Sequence, residues 1–164
     1  VSLGALVYNM SRPHTAVLGR LPNSTTYRNV NRFPEAEREP GVVIYRIDAT
    51  LCFANAEYVR DEVRGLLAPD TRAVVFDFHA VNGIDSTAMH QIEDMVRFLR
   101  AQHIEPYFAG VKGPVLDRMK RAHVYEHIGA PHFFFQVYQA VEAARGEQED
   151  ASAVPSEKEE LLVV

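Results

Sequence analysis

Residues 73–78, Ala-Val-Val-Phe-Asp-Phe, lead after three positions into Asn82-Gly83-Ile84-Asp85-Ser86-Thr87-Ala88-Met89, and no other stretch limits the fold so tightly. The near-continuous apolar run predicts a strand covered on both faces, because a half-exposed strand would alternate apolar with polar. Asn82-Gly83 is turn chemistry. Beyond it Ala88, Ile92, Met95, Val96 and Leu99 recur at helical spacing, with His90, Gln91, Glu93, Asp94 and Arg97 mostly opposite. A buried strand, a tight polar loop and an amphipathic helix in that order specify an α/β chain. Asp85 or Ser86 stands where a side-chain oxygen can cap the free N–H groups of a first turn. The same helix end carries partial positive charge and favours an anion, such as a phosphate, at Ser86 or Thr87. No evident base or second nucleophile accompanies the two hydroxyls. The site therefore suits a modification switch or an anion contact rather than an enzyme.

The remaining pattern extends this unit. Strands are predicted over 14–21, over 41–47, where Val42, Val43, Ile44, Tyr45 and Ile47 favour β structure, and over 106–111. Short extended pieces fall at 27–30, inside the polar connection 22–40, at 51–54 as a strand or bend, and at 133–135 as a strand or helix lead-in. One helix starts at Asn55, a candidate cap, and places Val59, Val63, Leu66 and Leu67 on one face before Pro69-Asp70 stops it. Another opens at Gly113-Pro114, and the last covers 136–145 and ends at Gly146. The first two strands have no helix between them. The fold class is thus α/β with a mixed central β-sheet, antiparallel in part, and helices packed on it.

A chain of 164 residues holds one domain with a real core. It has no run of about 18 apolar residues, the length that spans a bilayer. Residues 1–11 read either as a frayed terminal segment or as the end of a membrane-helix linker, with Arg12 at the cytoplasmic edge. The chain opens on Val1, as a piece excised from a longer protein would. Residues 12–146 form the domain, and residues 147–164 an acidic disordered tail. That tail holds six acids against Lys158, so it carries the whole net charge of −5 and leaves the body balanced. A neutral body lacks the basic face that nucleic-acid binding requires. The closing Leu161-Leu162-Val163-Val164 is read as an ordinary terminus. Cys52, the single cysteine, sits between Leu51 and Phe53 and reads as a small buried hydrophobe.

Other constellations reduce to structural roles. His123 and His127 have the spacing of two ligands on one helical face, but only Glu126 is close enough to join them, and no metal site is expected. His79 and His90 read as isolated polar residues. Asp48, Asp77 and Asp85 fall at strand ends, where turn and cap hydrogen bonds account for them without Mg²⁺ or acid–base chemistry. Lys112-Gly113-Pro114 lacks the spacing and the hydroxyl of a phosphate loop. Lys112 is retained with Ser86 and Thr87 as a candidate anion or nucleotide contact. No cofactor is implied.

The segment Val81-Asn82-Gly83-Ile84-Asp85-Ser86-Thr87-Ala88 resembles the signature loop of STAS domains, shared by sulfate transporters and anti-sigma factor antagonists. Residues 12–22 and 27–30 resemble the entry segment of that domain in bacterial SulP-type anion permeases, and residues 53–56 and 111–115 match the same group. The resemblance covers roughly residues 12–145. It implies an anti-sigma factor antagonist-like fold and a non-enzymatic, cytoplasmic regulatory domain of a sulfate or bicarbonate transporter. Such a domain lies at the cytoplasmic face of the inner membrane. It contacts its own transmembrane domain, a second copy in a homodimer, and cytoplasmic regulatory proteins. In the antagonists a phosphorylated hydroxyl lies two positions after the loop aspartate, which is Thr87 here, with Ser86 between. They tend to follow it with glycine, whereas Ala88-Met89 follows here. The alternatives are a free antagonist switched by phosphorylation and a nucleotide- or anion-sensing module.

Overall fold

β-favouring runs of five to seven residues supply the central strands, and all of them join one sheet. The computed structural model describes residues 2–150, with side chains as far as Gly146. The strands are β1 (His14–Arg20), β2 (Tyr27–Asn29), β3 (Val42–Asp48), β4 (Ala73–Asp77), β5 (Glu105–Ala109) and β6 (Phe133–Phe134). They lie in the order β2-β1-β3-β4-β5-β6. β1 pairs antiparallel with both β2 and β3, and β3, β4, β5 and β6 run parallel. The sheet is therefore mixed, as the missing helix between the first two strands requires. β4 is buried along its whole length and sits between β3 and β5, which explains its unbroken apolar sequence.

Alternation along the strands sorts the core into two layers. Tyr45, Ile47, Phe76 and Phe108 point to one face. There they meet α2 (Ala56–Leu66), α3 (Ser86–Ala101), α4 (Gly113–Arg121) and α5 (Val124–Ile128) through Val59, Ile92, Met119 and Ile128. Val42, Ile44, Val75 and Tyr107 point to the other face, which α6 (Val137–Asp150) covers with Ala140 and Val141. The α3 stripe is buried as its spacing demands, with Met89 added to it. Cys52 is buried as a small hydrophobe. Phe76 stacks on Phe108 at 5.1 Å, and Phe108 on Phe133 at 5.4 Å, a ring ladder that seats the two-residue strand β6.

Three local expectations change. The last helix passes through Gly146 to Asp150. An interior glycine costs a helix only about 1 kcal/mol relative to alanine, and the Glu-Gln-Glu sequence after it favours continuation. The terminus 161–164 lies outside the described residues. The helix begun at Gly113 stops at Ala122, because His123 takes a left-handed conformation (φ 60°) before α5 starts. His123 and His127 therefore do not share one helical face with a continuous turn before them. Asn55 precedes α2, yet its side chain does not cap it; its Oδ1 accepts from Cys52 N–H at 3.0 Å and its amide donates to the Thr50 carbonyl at 2.9 Å.

The parallel strands send residues 49–55, 78–85, 110–112 and 135–136 to one end of the sheet. The start of β1 shares that end, since His14 lies opposite Asp48. α1 (Leu3–Ser11) leads into β1 there, capped by Ser2, and it buries none of its residues. No helix among the described residues is long and apolar enough to cross a membrane.

Candidate functional site

The junction that dominates the sequence is held by Asp85. Its Oδ1 accepts from the Ala88 N–H at 2.8 Å and caps α3. Its Oδ2 accepts from the Phe53 N–H at 2.8 Å, in the loop after β3. Main-chain bonds reinforce the same junction: Leu51 N–H donates to the Gly83 carbonyl, and Asp85 N–H to the Leu51 carbonyl, both at 3.0 Å. One carboxylate thus stitches two strand-end loops together. Ser86 is not the cap. It occupies the first helical position, and the hydroxyls of Ser86 and Thr87 are exposed, with no protein hydrogen bond among the described residues.

Lys112 does not join them. Its ammonium donates to Asn82 Oδ1, at the start of the loop rather than at the helix end. The cations that share a hollow with Ser86 are Arg118 and Arg121, from α4. They line a hollow of about 260 Å³ with Ser86, Met89, His90 and Glu93. Arg118 is fixed there by donating to the Ile84 carbonyl at 2.8 Å. The sequence carries one sign of this pair, the basic last turn of α4, but nothing in it places that turn against α3. The hollow combines the positive end of α3, two guanidinium groups and a bare hydroxyl. That combination favours a phosphoryl group or another small anion near Ser86, opposed in part by Glu93 and Asp85. His90 lines the same hollow, but no hydrogen bond joins it to Ser86, so the contact that would activate a nucleophile is not formed.

The other carboxylates and histidines are scattered over separate tasks. Asp48 lies 2.7 Å from His14 Nδ1 and 2.9 Å from Arg46 Nε. Asp77 is buried with its Oδ1 2.5 Å from His79 Nδ1, while His79 Nε2 lies 2.9 Å from the Phe135 carbonyl. His79 is thus not the isolated residue its sequence context implies. It straps the end of β4 to the end of β6, a contact that exists only once β6 has joined the sheet. His127 Nδ1 faces Glu93 at 3.2 Å, on α3. Asp48, Asp77 and Asp85 each have different partners and form no shared acid–base pair. A half-buried hydrogen-bond group ties β1, β3 and α2: Tyr45 donates its phenol to Glu62, which also accepts from Thr15 at 2.7 Å. Burial first, and then that bond, push the Tyr45 phenol well above its ordinary range.

Known proteins share the fold that carries this junction. The family model of the STAS domain matches residues 33–144. Sulfate transporter 1.3 of Arabidopsis thaliana is 30% identical over 154 residues, covering 87% of this chain and 24% of the transporter. The probable sulfate transporter 4.2 of the same plant is 35% identical over 153 residues, covering 86% and 23%. The chain thus spans about a quarter of the length of these relatives. Among solved structures, murine Solute Carrier 26 family member A9, an anion transporter in the inward-facing state, superposes with a TM-score of 0.79 at 17% identity. That superposition covers 88% of this chain and 24% of the transporter, and it shows a shared fold.

Proposed function

The chain belongs to the STAS domain family, and from that premise we propose that it is the regulatory domain of a SulP-type anion transporter, acting through protein contacts and without catalysis. One observation carries this reading. The likeness to the sulfate transporters takes in 87% of the chain, beyond the residues 33–144 that the family model alone matches. The added residues outnumber those that follow residue 144, so they reach back before residue 33, toward the entry segment of residues 12–22 and 27–30 that distinguishes a permease domain from a free antagonist.

In this reading residues 1–11 lead to a membrane region, residues 12–146 form the domain, and the domain lies at the cytoplasmic face of the membrane. Sulfate and bicarbonate are the candidate transported anions. Ser86 and Thr87 are the exposed hydroxyls open to modification. A phosphoryl group on Ser86 would meet Arg118 and Arg121, and charge-assisted bonds to guanidinium groups would pull α3 and α4 together at that point. A second copy is the expected partner, and β2, an edge strand of three residues, is the expected contact.

Calorimetric titration of the chain with GTP, ATP, sulfate and bicarbonate tests the reading. Affinity weaker than micromolar for the nucleotides is expected. Micromolar or tighter nucleotide binding would replace the proposal with a sensing module.

A further inference from the structure

The exposed large apolar side chains of the described residues are all gathered at one end of the sheet. Five belong to α1, and the other three are Phe53, Tyr58 and Phe135. Phe53 lies in the loop after β3, Tyr58 in the first turn of α2, and Phe135 directly after β6. Each of those positions is at the carboxyl end of a parallel strand, the end from which α1 departs. Phe53 is 67% exposed and Phe135 85%. The opposite end, where α6 finishes and Arg145 pairs with Glu39, carries no exposed large apolar residue among those described. A single exposed phenylalanine is ordinary for a water-soluble surface; a complete segregation is the mark of an interaction face.

We infer that this end of the sheet rests on a lipid surface, with Phe53 and Phe135 inserted at the headgroup boundary beside α1. The inference rests on the proposed reading in one respect, that α1 leads toward a membrane. Two features favour lipid over a protein groove. First, α1 has no charged residue and is exposed on every side, and an uncharged, mostly apolar helix exposed all round belongs in a medium that surrounds it, whereas a groove covers one stripe. Its nine residues are about 13 Å long, less than half of a hydrocarbon core. Second, two cations at this end have no salt-bridge partner among the described residues. Arg12 lies over the Tyr8 ring at 5.2 Å, and Lys112 donates to Asn82; neither has a carboxylate partner among the described residues. Apolar tips beside unneutralised cations match an anionic bilayer interface.

The test uses the full chain with vesicles of phosphatidylcholine containing a minority of phosphatidylglycerol. Sedimentation of the vesicles should carry the chain down. The double variant Phe53→Ser/Phe135→Ser should partition at least about tenfold more weakly while melting at the same temperature, since both side chains are exposed. The variant Leu6→Ser/Val7→Ser separates the two readings, because it removes apolar surface from α1 alone. The chain contains no tryptophan, so Phe135→Trp and Phe53→Trp each give a single reporter whose emission should shift to the blue on vesicles. If the serine double variant binds as the parent does while the α1 variant fails, α1 alone meets the membrane and the inference is overturned. If the parent ignores vesicles, or neither tryptophan shifts, the inference is overturned as well. Loss of self-association in the phenylalanine variant under those conditions would assign the patch to a second copy instead.

Discussion

Replacing Asp85 with alanine removes two bonds at once. The cap on Ala88 is worth about 1 kcal/mol. The bond from the Phe53 N–H to a charged acceptor is worth about 1.5 kcal/mol. Asp85 is only half-buried, so water recovers part of both, and a net loss of about 2 kcal/mol is expected. With an ordinary urea dependence, that lowers the unfolding midpoint by roughly 1 M. Asp85→Asn keeps one acceptor oxygen for two donors and should lose about half as much. Ser86→Ala removes a hydroxyl with no protein partner among the described residues and should stay within about 0.5 kcal/mol of the parent. Urea denaturation followed by far-ultraviolet dichroism measures all three. A loss for Asp85→Ala no larger than that for Ser86→Ala would show that the carboxylate does not stitch the two loops.

Deleting residues 151–164 should leave the melting temperature within about a degree of the parent, because the buried residues described in α6 all precede Gly146; a large drop would mean that the terminus packs on the domain. Burial first, and then the charge of Glu39, push the Tyr27 phenol from 10.0 up to about 12. The native state then holds a proton that the unfolded state has lost, so stability is retained below pH 10 and declines as pH rises from 10 toward 12. Tyr27→Phe should flatten that decline in alkaline denaturation series, and an unchanged slope would count against it. Sedimentation from micromolar to near-millimolar protein should reveal a weak homodimer, strengthened when the chain is tethered and its effective concentration rises; a strict monomer throughout, with no cross-links near Tyr27 in the full-length protein, would remove β2 as the contact.

Periodicity alone makes the layers legible: the run at residues 73–78 places β4 at the sheet centre, and the stripe from Ala88 to Leu99 marks the buried face of α3. These are local signals, set by which side of a helix or strand must leave water. What stays hidden in the sequence depends on residues far apart in the chain. Nothing near Asp85 announces the Phe53 N–H, 32 positions away, as its second donor. Lys112 groups with Ser86 and Thr87 in sequence because all three lie at strand-to-helix turns, but the fold delivers it to Asn82 and brings Arg118 and Arg121 to the hollow that Ser86 lines. His79 becomes a strap only through β6, itself two residues long. The break at His123 carries no glycine or proline to mark it; histidine tolerates the left-handed region better than most side chains, and a polar residue there passes unnoticed.

Uptake of labelled sulfate and bicarbonate by cells expressing the full reading frame, with and without residues 12–146, bears most directly on the proposed role. If the chain is the regulatory domain of an anion transporter, the intact protein takes up at least one of the two anions, and removing the domain lowers that uptake while the remainder still reaches the membrane. Failure of the intact, membrane-inserted protein to move either anion, or uptake that is the same without the domain, would contradict it.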